Sequence, residues 1–184
     1  MARIRIPTRD ETPESVRPIL DRVEKQLGFL PNLHRVMANS PAVLNGWLGL
    51  MSSLSSTLDV KTRDAIALAV SEVNGCHYCL SAHSHVASTF ANVAPDEISR
   101  NRKGLSIDPK REAAARFAVT VIDRRGHVDD AALDAVRGAG FNDAEVLEII
   151  ALAVQYSMTN IINNVADTDI DFPFVEGPSP RGQD

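Results

Sequence analysis

The chain has 184 residues, of which 44% are hydrophobic and 23% are charged, a composition typical of a globular protein that excludes wholesale disorder. Its 19 basic and 24 acidic residues give a net charge of −5, so it lacks the excess of Lys and Arg that binding to nucleic acid or anionic lipid requires. The length favours a single domain over residues 1–184, which can bury a core without disulfide bonds.

Helix-start and helix-stop residues recur along the chain, and no alternating strand pattern with a hairpin turn stands out. Thr12 and Pro13 predict the start of a first helix, which Gly28 ends. Further helices are predicted over residues 41 to the mid-fifties, 60–73, 76–91, a short segment from 95, 109–125, a short segment from 129 and 143–163. The sequence therefore predicts an all-α protein with about seven or eight helices.

Neither end of the chain has a helix signal. Residues 1–11 are polar and carry no apolar segment of a secretory signal, and no run approaches the roughly 18 uninterrupted apolar residues of a membrane span. We therefore predict a cytoplasmic protein with no membrane contact. The tail over residues 171–184 is rich in Pro and Gly, and fraying is favoured over wrapping around a neighbour.

A short sequence echo links two predicted apolar helices. The tetrapeptide Ala-Leu-Ala-Val occurs at residues 67–70 and again at 151–154. Counting forward from each copy places Cys76 and Cys79 opposite Asn160 and Asn163. Four common residues do not by themselves indicate a duplication, because apolar core helices resemble one another.

The two cysteines of the chain, Cys76 and Cys79, lie three residues apart, and His83 follows four residues later. On a helix all three share one face. Gly75 allows a sharp turn that leaves Cys76 at or near the helix N-terminus, where the dipole lowers a thiol pKa. An imidazole can take up or return a proton, and a second thiol can close a disulfide with an oxidised first thiol. The spacing therefore predicts a dithiol redox unit.

Three other interpretations of the Cys76, Cys79 and His83 motif remain possible besides a dithiol redox unit. A zinc site would use Cys76, Cys79 and His83, with Glu72 or His85 as the fourth ligand that structural zinc requires. A thioredoxin-like site needs strands around the cysteine pair, whereas the flanking residues predict helix. Finally, free cysteines are often simply buried in a core.

The motif also resembles a known family. The stretch 60–83, with Arg63-Asp64, Asn74-Gly75-Cys76, Tyr78-Cys79 and His83, resembles the core of the AhpD-like alkylhydroperoxidases in the carboxymuconolactone decarboxylase family, in particular its peroxidase-related members. The segments 30–41 and 160–173 resemble the family's N-terminal and C-terminal regions less specifically. The resemblance implies an AhpD-like fold of two related helical units and a homo-oligomer, a trimer or hexamer.

The same resemblance implies roles for four residues. Cys79 corresponds to the peroxidatic nucleophile, Cys76 to the resolving cysteine, and His83 to a proton relay with a glutamate twelve residues before the first cysteine. That position holds Asp64, whose carboxylate is one methylene shorter, so a water would bridge to the histidine. Glu72 is an alternative relay carboxylate, although Asn74-Gly75 interrupts the helix before Cys76 and an exposed position is favoured for it.

Side chains outside this motif give weaker signals. His77 and His85 are expected to face solvent, and His34 has no visible partner. Trp47 lies in an apolar stripe that fits a core or a subunit interface better than a substrate pocket. The amides at 160, 163 and 164 are expected to bind backbone or a neighbouring subunit, with an active-site role less favoured.

The sequence thus predicts an antioxidant thiol peroxidase that reduces a small peroxide through the dithiol and needs no metal or organic cofactor. An external dithiol reductant is the expected partner. One alternative is a lactone decarboxylase, although family members with that activity lack the redox pair. Another is a non-enzymatic redox-sensing module.

Overall fold

Helices account for all the regular secondary structure within residues 2–178, the part of the chain that the computed structural model describes. The nine α-helices are α1 Arg17–Leu27, α2 Asn32–Met37, α3 Pro41–Leu54, α4 Val60–Val73, α5 His77–Thr89, α6 Pro95–Arg102, α7 Pro109–Asp123, α8 Asp130–Gly138 and α9 Asp143–Ala166. Two short 3-10 helices, Arg9–Glu11 and Glu14–Val16, precede them. The predicted all-α class is confirmed.

The helix count exceeds the prediction by one because α2 was not foreseen. This helix spans six residues after Pro31 and has no side-chain cap, so it lacks the usual start signal. The start of α1 was also placed wrongly. Residues 14–16 form a 3-10 turn, and the α-helix begins at Arg17, because Pro18 has no N–H to continue a helix from Glu14.

The core is built around α4. Its segment 65–70, Ala-Ile-Ala-Leu-Ala-Val, is wholly buried, and the helix packs against α5, α6, α7 and α9. Alternating alanines allow close approach of neighbouring helices, while Ile66 and Val70 join the main apolar cluster with Phe117 and Ile149. A second cluster around Leu44 and Trp47 fills the space between α1, α2, α3 and α9.

The longest helix, α9, has the length and mean hydropathy of a membrane span. In the structure it packs against α3, α4 and α7, and the polar side chains Gln155, Ser157, Asn160 and Asn163 are buried along it. A core helix of a folded domain has these properties too.

The tail after α9 does not fray over its described part, which corrects the prediction for residues 171–178. The backbone N–H of Val175 donates to Ser81 Oγ at 2.9 Å, and Arg102 donates to the Glu176 carbonyl at 2.7 Å. Ile170 and Phe172 pack on the buried cluster of Cys76, Tyr78 and Cys79. The segment therefore binds along α5 of its own chain; residues 179–184 of the predicted tail lie outside the described residues.

Candidate active site

The turn between α4 and α5 places the cysteine pair. Asn74 ends α4, and Gly75 adopts a φ of 60°, a left-handed conformation that costs glycine little. The Cys76 N–H then donates to the Ser71 carbonyl at 3.0 Å. Cys76 becomes the N-cap of α5, so the sharp turn and the helix-end position expected from the sequence are both present.

Both cysteines are free thiols, and both are buried, with 0% and 3% of their surface exposed. The Cys79 backbone N–H donates to Cys76 Sγ at 3.3 Å, which caps the helix through a sulfur atom. On the other side, Asn163 of α9 donates its side-chain Nδ2–H to Cys79 Sγ at 3.3 Å. The Cys79 sulfur thus lies in the first turn of α5, between its partner cysteine and an amide from a distant helix.

The surroundings shift the pKa values of the two thiols in opposite directions. The hydrogen bond to Cys79, followed by burial, raises the pKa of Cys76 far above its ordinary value. Burial also opposes ionisation of Cys79, but hydrogen bonds from Cys76, Asn163 and Asn160 outweigh it and lower the pKa of Cys79. Cys79 is therefore the thiol that carries the negative charge when the pair loses one proton.

A cavity of about 370 Å³ opens beside Cys79. Three of the four predicted site residues, Asp64, Cys79 and His83, line it together. The fourth, Cys76, is behind Cys79 and fully buried. The rest of the wall is mainly apolar and aromatic, and includes Leu33, Trp47, Leu48, Met51, Tyr78, Tyr156 and Phe172.

His83 is half-buried on α5, with its ring edge-to-face against Tyr156 at a centroid distance of 5.2 Å. Burial lowers the pKa of His83 to about 4, so the imidazole is neutral at pH 7 and has a free lone pair. Within residues 2–178, no direct hydrogen bond joins His83 to Cys79 or to Asp64. The three groups share a cavity without being in contact through protein atoms alone.

Asp64 projects from α4 with 7% of its surface exposed, and burial raises its pKa to about 6. Its Oδ2 atom is buried and has no hydrogen-bond partner in the described part of the chain. Glu72, the alternative carboxylate, instead accepts a 2.7 Å hydrogen bond from Arg102 of α6 and does not line the cavity. Of the two carboxylates on α4, Asp64 is the one beside Cys79.

Several cavity residues were missed or misjudged from the sequence. His34 has its ring against Trp47 at 5.2 Å, and burial lowers the pKa of His34 to about 4. Trp47 is a core residue, as expected, but it also lines the cavity. Asn163 binds Cys79 without lining the cavity, and its signal in the sequence was the row of amides in α9, since a polar side chain in an apolar helix requires a partner.

Two histidines near the motif lie outside the cavity. His77, expected to face solvent, is covered by the tail: its ring is 6.1 Å from that of Phe174, and its Nε2 is 3.3 Å from the Pro178 carbonyl oxygen. His85 is half-buried, with its ring 6.0 Å from that of Phe172. Contacts with the tail, which the sequence did not predict, explain both differences.

The zinc interpretation of the motif gains no support. Among the residues that the structure describes, no three His, Cys, Asp or Glu side chains are grouped so that they could hold a metal ion. Cys76 lies behind Cys79, and Glu72 is occupied by Arg102.

Comparison with known proteins bears on this arrangement. Residues 41–103, which include both cysteines, Asp64 and His83, match the model of the carboxymuconolactone decarboxylase family. A crystal structure of an alkylhydroperoxidase AhpD core, an uncharacterized peroxidase-related protein from Ralstonia eutropha, matches with a TM-score of 0.82 and 23% identity over 92% of each chain. Residues 41–103 therefore resemble the carboxymuconolactone decarboxylase family, and the chain as a whole has an AhpD-like fold.

Two further structures share this AhpD-like fold. An uncharacterized peroxidase-related protein from Silicibacter sp. matches with a TM-score of 0.79 and 21% identity, over 91% of this chain and 89% of that one. The debrominase Bmp8, in complex with 2,3,4-tribromopyrrole, matches with a TM-score of 0.77 and 24% identity, over 92% and 91% of the two chains. No curated protein matches the sequence significantly.

Proposed function

We propose that this protein is a thiol peroxidase whose nucleophile is Cys79. The observation that carries the proposal is the position of the Cys79 sulfur. It borders a cavity that also contains a neutral imidazole and a carboxylate, and a second thiol lies directly behind it. The lowered pKa of Cys79 and the raised pKa of Cys76 support the same division of roles, because the nucleophile must be the thiolate.

The proposed reaction begins with proton transfer from Cys79 to the neutral His83, coupled to Asp64 through solvent in the cavity. The thiolate then attacks the peroxide O–O bond, which breaks to give a sulfenic acid on Cys79 and an alkoxide. The alkoxide leaves as the alcohol after taking the proton from His83. Cys76 next attacks the sulfenic sulfur, forming a disulfide and releasing water, and an external dithiol reduces the disulfide while becoming oxidised itself.

The cavity supports an organic hydroperoxide as the substrate. Its volume of about 370 Å³ and its apolar, aromatic wall suit a hydrocarbon body, whereas hydrogen peroxide would leave most of the wall uncovered. We therefore expect cumene hydroperoxide to have a lower KM than hydrogen peroxide. The need for an external dithiol also fits a reducing, cytoplasmic setting.

Peroxide consumption by purified protein tests this function. Turnover of cumene hydroperoxide is measured with a dithiol reductant in wild type, Cys79→Ser and His83→Gln. Cys79→Ser abolishes turnover and His83→Gln reduces it about 10²-fold, while His85→Gln, a control on the same helix but outside the cavity, keeps it. Unchanged turnover in Cys79→Ser would refute the proposal.

Reductive dehalogenation is a second candidate. The aromatic side chains Trp47, Tyr78, Tyr156 and Phe172 border the cavity and can hold a flat ring, and a debrominase shares the fold. An aryl bromide and the dithiol would give the arene, bromide, a proton and the disulfide. Bromide release from a brominated phenol or pyrrole, matched by equal disulfide formation, would favour this reaction if no peroxide is consumed.

The two remaining alternatives have less support. A lactone decarboxylase has no use for a thiol pair beside its cavity. A redox-sensing module would change its assembly on oxidation, which size-exclusion chromatography of oxidised and reduced protein measures directly.

A further inference from the structure

Asn163 buries a polar amide in an apolar helix, which costs free energy unless the amide gains a partner. It is 3% exposed on the apolar helix α9, where a leucine would pack without needing partners. Its Nδ2–H donates to Cys79 Sγ at 3.3 Å, and its Oδ1 is buried with no partner among residues 2–178. The contact with the sulfur is thus the only hydrogen bond that this side chain makes within that part of the protein.

Neighbouring polar side chains fix the position of this part of α9 against the α4–α5 turn. Asn74 donates to Ser157 Oγ and to Asn160 Oδ1, each at 2.9 Å. Asn160 donates to Ser71 Oγ at 3.2 Å, and Asn164 donates to the Asn74 carbonyl at 2.8 Å. These bonds tie α9 to the segment that ends at Cys76 through residues six and three positions before Asn163 and one position after it, so the distance from donor to sulfur is set by the fold.

The groups that lower the pKa of Cys79 are hydrogen-bond donors rather than cations. The cavity wall, as far as the structure describes it, contains no Lys or Arg. Titratable groups in or next to the region are Cys76, Tyr78 and His83 on α5, Arg63 and Asp64 on α4, Tyr156 on α9, His34 on α2 and Asp171 in the tail. The two histidines are neutral at pH 7. Arg63 acts electrostatically on Asp64 and Tyr156 and donates to the Leu58 carbonyl, but it is not among the groups that lower the pKa of Cys79.

We propose that Asn163 is a catalytic residue of the dithiol site, whose side-chain N–H stabilises negative charge on the Cys79 sulfur. A neutral donor held at a fixed distance does this without the solvation cost of a buried cation. The amide acts when the Cys79 thiolate forms before its attack on the substrate. The role of Asn163 in stabilising the thiolate does not depend on the proposed peroxidase function. Only the reaction in which that thiolate is used rests on it.

Alkylation of a single thiol tests this role without any peroxide. In a Cys76→Ser background, the rate of iodoacetamide alkylation of Cys79 is measured from pH 5 to 10, and its midpoint reports the thiol pKa. Asn163→Leu, of similar volume, raises the midpoint by about one unit, a roughly tenfold loss of thiolate at a pH below the midpoint. Asn163→Asp raises it further, because it sets a negative charge against the sulfur.

Asn45→Leu is the matched control, because Asn45 is an exposed asparagine on α3 that neither lines the cavity nor takes part in the bonds around Cys79. It leaves the midpoint unchanged. A folded Asn163→Leu variant with the wild-type midpoint overturns the proposal. If that variant does not fold, Asn163→Asp, which keeps the size and shape of the side chain, decides by the same midpoint. Should wild type consume no peroxide while the midpoint still moves with Asn163, the peroxidase function fails and the role of Asn163 at the thiolate stands.

Discussion

Cys76 caps the helix that carries Cys79: its sulfur accepts the backbone N–H of Cys79 at 3.3 Å. The same atom is therefore the first acceptor of α5 and the atom that would bond to Cys79 in a disulfide. The capping contact holds the two sulfur-bearing residues together before any oxidation occurs.

Because Cys76 has both a capping role and a proposed disulfide role, its substitution by Ser and by Ala should differ in stability but not in disulfide formation. Cys76→Ser keeps an oxygen acceptor for the cap, whereas Cys76→Ala loses it and costs about 1 kcal/mol of unfolding free energy. Neither variant can form the disulfide, so both stop after one equivalent of peroxide with Cys79 as a sulfenic acid. Urea denaturation measures the first effect, and a dimedone adduct in intact-mass spectra measures the second. Equal stability of the two variants would contradict the capping role.

Asp64 should make stability depend on pH in an unusual direction. Burial raises its pKa from 3.8 to about 6, so its proton is held more tightly in the folded state than in the unfolded state. The stability that this provides is present below about pH 4 and is lost as pH rises through 6. Relative to wild type, Asp64→Asn should therefore gain up to about 3 kcal/mol in unfolding free energy between pH 4 and 7. A difference that does not vary with pH would contradict this expectation.

The same residue should affect catalysis through its carboxylate. If Asp64 takes part in the relay, peroxidase turnover rises through about pH 6 as the carboxyl ionises. Asp64→Asn removes this limb of the pH profile and lowers turnover about tenfold or more, whereas Asp64→Glu keeps the limb. Glu72→Gln, on the same helix but paired with Arg102, serves as the control and leaves the profile unchanged.

His34 should destabilise the protein in acid. Its folded-state pKa is lowered to about 4, so the unfolded chain binds a proton that the folded chain does not between about pH 6.5 and 4. Unfolding free energy is lost as pH falls through that window and is independent of this group above it. His34→Gln should show a smaller loss between pH 7 and 4.5 than wild type, as measured by chemical denaturation. A parallel loss in both proteins would refute the assignment.

The exposed face of α9 supports the predicted homo-oligomer. Leu147, Val154, Ile161 and Val165 are each more than half exposed and recur at spacings of seven and four residues, forming an apolar stripe. We expect a second copy of the chain to cover it. Light scattering should give an oligomer for wild type and a smaller species for Val154→Lys, while Asp134→Lys on α8 keeps the wild-type mass. A monomeric wild type would exclude this assembly.

The sequence by itself determined features that depend on near neighbours in the chain. Helix starts at Ser40, Asp108, Asp129 and Asn142 are the caps that the structure shows, because capping joins residues only two or three positions apart. The shared face of Cys79 and His83, and the turn at Gly75, follow equally from the helical period and from the freedom of glycine.

Only the tertiary structure decided which distant groups surround the sulfur. Asp64 and Glu72 are eight residues apart on α4, about 80° apart around the helix axis, so local geometry allowed either to be the cavity carboxylate. The packing of α6 against α4 places Arg102 in an ion pair with Glu72, whereas Asp64 lines the cavity beside Cys79. Asn163 reaches Cys79 across 84 positions, and the tail binds α5 across 94, contacts that depend on how whole helices pack rather than on any local pattern.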